Sequence, residues 1–210
     1  QRHTVFRKPD NTLYAEELVS THGFSSLYSL VYHCHPPTLV KQIREPYDVS
    51  PRIARDKHLK HTSLKGFQVQ AKDDYLESRT PVLVNQDLHI SLAAPRRSMD
   101  DYFYKNSQAD EIVFIHQGMG KLKTGYGSIP FKYGDYLVIP RGTIYQMEFE
   151  QEDNRLFIVE SFSPVRTPKR YRNEFGQLME HAPFFERDIR VPQNLETFDE
   201  LGDFEVKIKK

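Results

Sequence analysis

The stretch DEIVFIHQGMGKLKTGYGSIPFKYGDYLVIPRGTIYQMEF, Asp110 to Phe149, decides how the rest of the chain is read. Glu111 to Gln117 is a nearly continuous apolar run, the pattern of a strand buried on both faces. Gly118 and Gly120 bracket a turn, and Lys121 to Tyr126 returns from it. Gly134-Asp135 leads into a second buried strand, Tyr136 to Ile139. Pro140-Arg141-Gly142 then turns the chain back along Ile144 to Glu150. Six residues separate Glu111 from Gly118, and five separate Gly134 from Pro140. Short strands cut by glycine and proline turns predict an all-β sandwich or jelly-roll barrel.

Working outward, Leu88 to Ala93 alternates, with Leu88, Ile90 and Leu92 on one face and His89 and Ser91 on the other. Strands are also expected over Phe67 to Ala71, Pro81 to Asn85 and Leu156 to Phe162. Near the front, Phe24 to His33 reads as a strand that His35-Pro36-Pro37 ends. Residues 1–23 read as an irregular arm, with a turn at Pro9-Asp10-Asn11 and a short helix over Leu13 to Val19. Prolines at 36, 37, 46 and 51 make residues 36–62 a surface loop. Tyr171, Phe175 and Leu178 recur at helical spacing, which predicts a helix from Arg170 to His181. Phe204 to Lys210 alternates like a strand and stops there, and the chain opens on Gln1, so a segment of something longer is expected. The organisation is then an arm, strand and proline-rich loop over 1–65, a barrel over 66–165, and a helix and connecting tail over 166–210.

Composition excludes several roles. Lysine plus arginine and aspartate plus glutamate both number 29, so no global field favours nucleic acid or an anionic membrane. The basic run Pro168 to Arg172 sits beside acids and reads as a solvated face. No apolar run approaches the ~20 residues of a membrane span. Cys34 is the one cysteine, which excludes a disulfide framework and points to a reducing, cytoplasmic setting.

The glycine and proline punctuation of 110–149 resembles the two signature motifs of the cupin superfamily, whose small barrels hold a metal through histidines and a glutamate. The resemblance implies a cupin-type jelly roll with an N-terminal arm and few short helices. It puts the carboxylate ligand at Glu111. A His-x-His pair should fall at Tyr104 and Asn106, or at Lys105 and Ser107, and the third histidine at Tyr145. None of these is histidine, and the motif's closing asparagine falls at Phe149. A metal-free barrel is expected, with Glu111 an ordinary strand-edge carboxylate and His116, five residues on, facing the other way.

Other candidates are weaker. His33-Cys34-His35 could place two imidazoles on one face, as zinc or iron would need. The prolines that follow, and the lack of a further ligand at motif spacing, favour a strand-end packing role. His58 and His61 lie in a charged loop. Cys34 as a nucleophile lacks a base and an orienting group. The aromatics Tyr102, Phe103, Tyr104, Phe184 and Phe185 could line a pocket but read as core and subunit packing.

Longer stretches carry a more specific resemblance. They are Arg2-His3-Thr4-x-Phe6-Arg7-Lys8-Pro9-Asp10, Leu13 to Leu18, and Ser26-Leu27-Tyr28-Ser29-Leu30-x-Tyr32-His33-x-His35-Pro36-Pro37-Thr38. Asp153 to Ser161, Glu180 to Phe184 and Glu186-Arg187-Asp188-Ile189-Arg190-x-Pro192 to Thr197 follow in order. Together they resemble the N-terminal half of bacterial-type homogentisate 1,2-dioxygenases. That resemblance implies a parent with two cupins that opens the ring of homogentisate with O2 to give maleylacetoacetate, in tyrosine and phenylalanine catabolism. It implies Fe(II) held by two histidines and a glutamate in the later cupin, beyond residue 210, and assembly into trimers or hexamers. No catalytic, cofactor-binding or metal-binding residue is therefore assigned within 1–210. The competing expectation is a self-standing metal-free cupin that binds a small ligand or a protein. A third is a metalloenzyme using His33 and His35.

Overall fold

The computed structural model describes residues 4–22, 24–37, 39–54 and 61–210. Two compact units share the chain: residues 1–49 with 197–201, and residues 50–196 with 202–210.

In the first unit, β1 (Ala15–His22) and β2 (Ser25–His33) form an antiparallel hairpin in which Leu18 faces Leu30 and Glu16 faces Tyr32. This replaces the helix expected over Leu13 to Val19. A seven-residue helix without a packing face is marginal in water, whereas β2 supplies a full ladder of backbone partners. The preceding turn is as expected. Asn11 takes φ 67°, and the Asp10 carboxylate accepts from the Thr12 backbone N–H at 3.0 Å. Residues 39–54 have no regular structure and are mostly exposed.

The second unit holds the barrel. Its strands are β3 (Thr80–Val84), β4 (Leu88–Ala93), β5 (Phe103–Asn106), β6 (Asp110–Gln117), β7 (Met119–Thr124), β8 (Gly127–Lys132), β9 (Tyr136–Ile139), β10 (Ile144–Phe149), β11 (Arg155–Ser161) and β12 (Val206–Lys209). One sheet runs β3-β4-β11-β6-β9 and the other β12-β5-β10-β7-β8. Without the added edges β3 and β12, the orders β4-β11-β6-β9 and β5-β10-β7-β8 are those of an eight-stranded jelly roll. The expected all-β, cupin-type jelly roll is what the chain forms. Gly118, Gly134 and Gly142 all adopt positive φ, 123°, 88° and 82°, which explains glycine at the punctuation points.

The core lies between the sheets and includes Val113, Ile115, Leu122, Phe131, Met147, Leu156 and Ile158. Alternation decides which side chains enter it. On β4 the buried residues are Ser91 and Ala93, and Ile90 and Leu92 face outward. Strands β6 and β9 are buried on one face rather than two: Tyr136 and Val138 are 68% and 52% exposed. The outer face of this sheet carries a cross-strand row, Leu83, Ile90, Val159, Ile112 and Val138, each registered against the next.

Two other expectations are corrected. Phe67 to Ala71 is not a strand. A 3-10 turn, Gly66–Gln68, crosses the sheet instead, held close because a Cβ at Gly66 would stand 3.1 Å from Leu92 Cδ1. Arg170 to His181 is not a helix beyond the 3-10 turn Lys169–Tyr171. The Asn173 side chain accepts from the backbone of Phe175 (2.9 Å) and Gln177 (3.0 Å), and Gly176 takes φ 84°, so local bonds compete with the helical ladder. The terminal strand expected from alternation is β12, which joins β5 in parallel, with Val206 beside Phe103. No helix among the described residues is long and apolar enough to cross a membrane.

Candidate functional site

A one-turn helix, α1 (Tyr75–Ser78), starts the site. The Asp74 carboxylate accepts from the Glu77 N–H at 2.9 Å, capping the turn and fixing where the next residue leaves it. That next residue is Arg79. Its side chain enters the barrel, where Nη2 donates to Glu111 Oε1 at 2.7 Å and to the Tyr75 hydroxyl at 2.9 Å. The guanidinium also lies over the rings of Tyr75 and Tyr104, with Cζ 4.9 and 5.4 Å from their centroids.

Glu111 on β6 and Glu160 on β11 are directly opposite in the antiparallel register. Two carboxylates so placed repel. Arg79 Nη1 stands 3.9 Å from Glu160, and Lys209 of β12 donates to Glu160 Oε1 at 2.7 Å, so each acid has a cation. Asn106 bridges the pair, donating to Glu160 at 2.8 Å and to Glu111 at 3.4 Å. Its own carbonyl oxygen accepts from the backbone of Gln108 and Ala109, both at 3.0 Å, which sets the amide's orientation. The Tyr145 hydroxyl donates to the second Glu111 oxygen at 2.6 Å.

Burial sets the protonation states. It pushes the Tyr145 phenol well above its ordinary range, as do the neighbouring charge on Glu111 and the other phenols. Burial would raise the Glu160 carboxyl too, but Arg79 and Lys209 outweigh it and hold the group below the ordinary value. For Arg79, burial would ease deprotonation, and Glu111 more than reverses that. Glu160 is thereby kept a carboxylate, Arg79 a cation, and Tyr75, Tyr104 and Tyr145 neutral phenols. Each carboxylate is already occupied, so the set is poorly placed to act as base or nucleophile. Among the described residues, Arg79 Nε and Asn154 Oδ1 are the buried side-chain atoms without a hydrogen-bond partner.

The expected positions come together. Tyr104, Asn106, Glu111 and Tyr145 do converge, and the guanidinium of Arg79 sits among them. Glu111 is not a strand-edge carboxylate: it is fully buried at the centre of the network. Phe149 packs on Phe131 and Tyr75. Lys105 is only half-buried, and Ser107 donates its backbone N–H to Lys209. His116 faces outward, with its ring 4.8 Å from that of Phe67. His33 and His35 serve different acids: His33 Nε2 lies 2.8 Å from Glu17, and His35 Nε2 lies 2.5 Å from Asp199. The Cys34 carbonyl accepts from Lys8 at 2.6 Å. His58 lies outside the described residues. Tyr102 and Tyr104 are core, and Phe184 and Phe185 are half-buried.

Among the described residues, no three His, Cys, Asp or Glu side chains gather as a metal would need. The interior also does not fit a divalent ion. Its two carboxylates are neutralised by Arg79 and Lys209, its other donors are phenols and one amide, and a further cation would be repelled by the guanidinium. The sequence reading missed Arg79, Glu160 and Lys209. Glu160 had a signal, because alternation puts it on the face of Leu156 and Ile158. Arg79 and Lys209 had none.

Comparison with known proteins places these features. Residues 10–170 match the family model described as homogentisate 1,2-dioxygenase N-terminal. A protein of Saccharolobus solfataricus, provisionally named a dioxygenase, is 37% identical over 209 residues, covering 100% of this chain and 53% of its own. The chain thus spans about half the length of that curated relative. Among solved structures, KdgF from Halomonas sp. is similar with a TM-score of 0.37 and 19% identity over 41% of this chain and 78% of its own. A cupin-2 domain containing protein from Shewanella frigidimarina gives 0.35 and 18% over 40% and 79%.

Proposed function

The chain belongs to the homogentisate 1,2-dioxygenase N-terminal family, and from that premise we propose that it is the structural and assembly half of an iron-dependent, ring-cleaving dioxygenase. The parent enzyme would open homogentisate with O2 to maleylacetoacetate in the cytoplasm, as a trimer or hexamer. One observation carries this reading. The place where a cupin of this kind would hold its metal contains the Arg79 guanidinium, paired with Glu111 and closed in by Asn106 and Tyr145. Ferrous iron, which would supply the activation of O2 and substrate, would be held outside residues 1–210. These residues would give the parent a rigid barrel and surfaces for packing.

The test compares the longer protein, carrying the sequence that follows Lys210, with residues 1–210 alone. Expected are tightly held iron and homogentisate-dependent O2 uptake in the longer protein, with neither in residues 1–210. One iron per chain in residues 1–210, unchanged in the double variant His33→Ala, His35→Ala, would overturn the reading of the barrel interior. A reading frame that stops after Lys210 would favour a self-standing binding module instead.

A further inference from the structure

The strap at residues 64–69 does not lie flat on the barrel. Between it and the outer face of the sheet is a cavity of about 390 Å³, within the size range of small-molecule sites. Three rings wall it: Phe67 from the strap, Phe114 from β6 and Phe157 from β11. Leu92 forms part of its floor. Two polar side chains, His116 and Arg155, share the same lining. This cavity is on the far side of the sheet from Glu111 and is not part of the interior network.

We infer that this cavity binds a small apolar carboxylate. The argument rests on how loosely Arg155 is held. Its Nη1 is 3.3 Å from the Asn154 carbonyl, and its Nη2 is 3.6 Å from Asp153, a carboxylate that is itself largely exposed and accepts a shorter bond from Gln117 at 2.7 Å. Arg79 shows the contrast, with its acid at 2.7 Å. Arg155 thus keeps donors for an incoming anion, and a guanidinium's planar fork suits a carboxylate. The aromatic and aliphatic lining excludes a polar body. The cation disfavours an amine. What fits is one acid group on an aryl or alkyl body. The gap persists because the strap is pinned at one end, where glycine at 66 lets the backbone lie against Leu92, while the Phe67 ring stands edge-on to His116.

The test is titration of the protein with octanoate, 4-phenylbutyrate and the primary amide of each, followed by saturation-transfer NMR and calorimetry. Both acids are expected to bind at least tenfold more tightly than their amides, and the tighter acid identifies the body as alkyl or aryl. Arg155→Gln should erase the acid–amide difference, and Phe67→Ala should weaken all four probes. Phe67 is 64% exposed, so its loss should leave the fold intact, and circular dichroism checks that. Equal binding of acids and amides, an unchanged preference in Arg155→Gln, or no binding of any probe would each overturn the inference.

Discussion

The two faces of the sheet β3-β4-β11-β6-β9 carry opposite chemistry, and neighbours on one strand show it. On β11, Glu160 points into the barrel beside Glu111, while Val159 points outward beside Ile112. The inner face sets a charged cluster beside the apolar core of Val113, Ile115, Leu156 and Ile158, and the outer face leaves aliphatic and aromatic groups at the surface. Buried ionised side chains are rare unless paired, as these are. The inner groups satisfy one another and leave little for a ligand. The outer face has unsatisfied apolar area and a loosely held cation. In this domain, binding capacity therefore belongs to the outside of the barrel and architectural fixity to its inside.

The strongest way to break that contrast is Arg79→Met. It strands Glu111 opposite a second carboxylate and should cost about 3–5 kcal/mol, the usual penalty for removing one partner of a buried ion pair. Denaturant unfolding reads it directly. Adding Glu111→Gln and Glu160→Gln to the same protein should recover most of the loss. A single-variant cost under about 1 kcal/mol would mean the network is not structural. Tyr145→Phe should follow at about 1.5–3 kcal/mol, because a buried carboxylate oxygen loses its donor.

Lys209→Met should cost less, about 1 kcal/mol near neutral pH, because its ammonium keeps some contact with water. The effect should depend on pH. Glu160 has a folded pKa below its unfolded value, so its stabilisation is present above the ordinary carboxylate range and is lost as pH falls through the depressed value. The gap between wild type and Lys209→Met should therefore be constant from about pH 6 upward and close on acidification. A gap that widens in acid would contradict the pairing. The smallest effect belongs to the outer face: Val138→Thr, at a half-exposed position, should change stability by less than about 0.5 kcal/mol.

Much of the barrel was legible because strand alternation is local. The glycine and proline spacing located β6, β7, β9 and β10 but not β8, and the terminal alternation located β12. The helices expected at Leu13 to Val19 and Arg170 to His181 failed for different reasons. One segment found a strand partner, and the other contains Asn173 and Gly176, whose local bonds and backbone freedom favour a turn. The site was half legible. Motif spacing brought out Tyr104, Asn106, Glu111 and Tyr145, but the group that holds them, Arg79, is 32 residues from Glu111. Lys209 is 49 residues from Glu160. A long side chain reaching across that interval leaves no periodic trace. The burial of Glu111 was likewise hidden, because a charged residue at a strand's start reads as solvent-facing until its counter-ion is known.

The parallel pairing of β12 with β5 has a consequence for synthesis. Phe103 leaves the ribosome long before Val206, its partner. Through that interval the nascent barrel has an open edge at β5 and a Glu160 that lacks its ammonium. A pairing of such sequence separation is slow to form, so the edge stays available to other strands. Translation speed through the segment before β12, and any chaperone that shields β5 meanwhile, would then govern how much of the protein matures rather than aggregates.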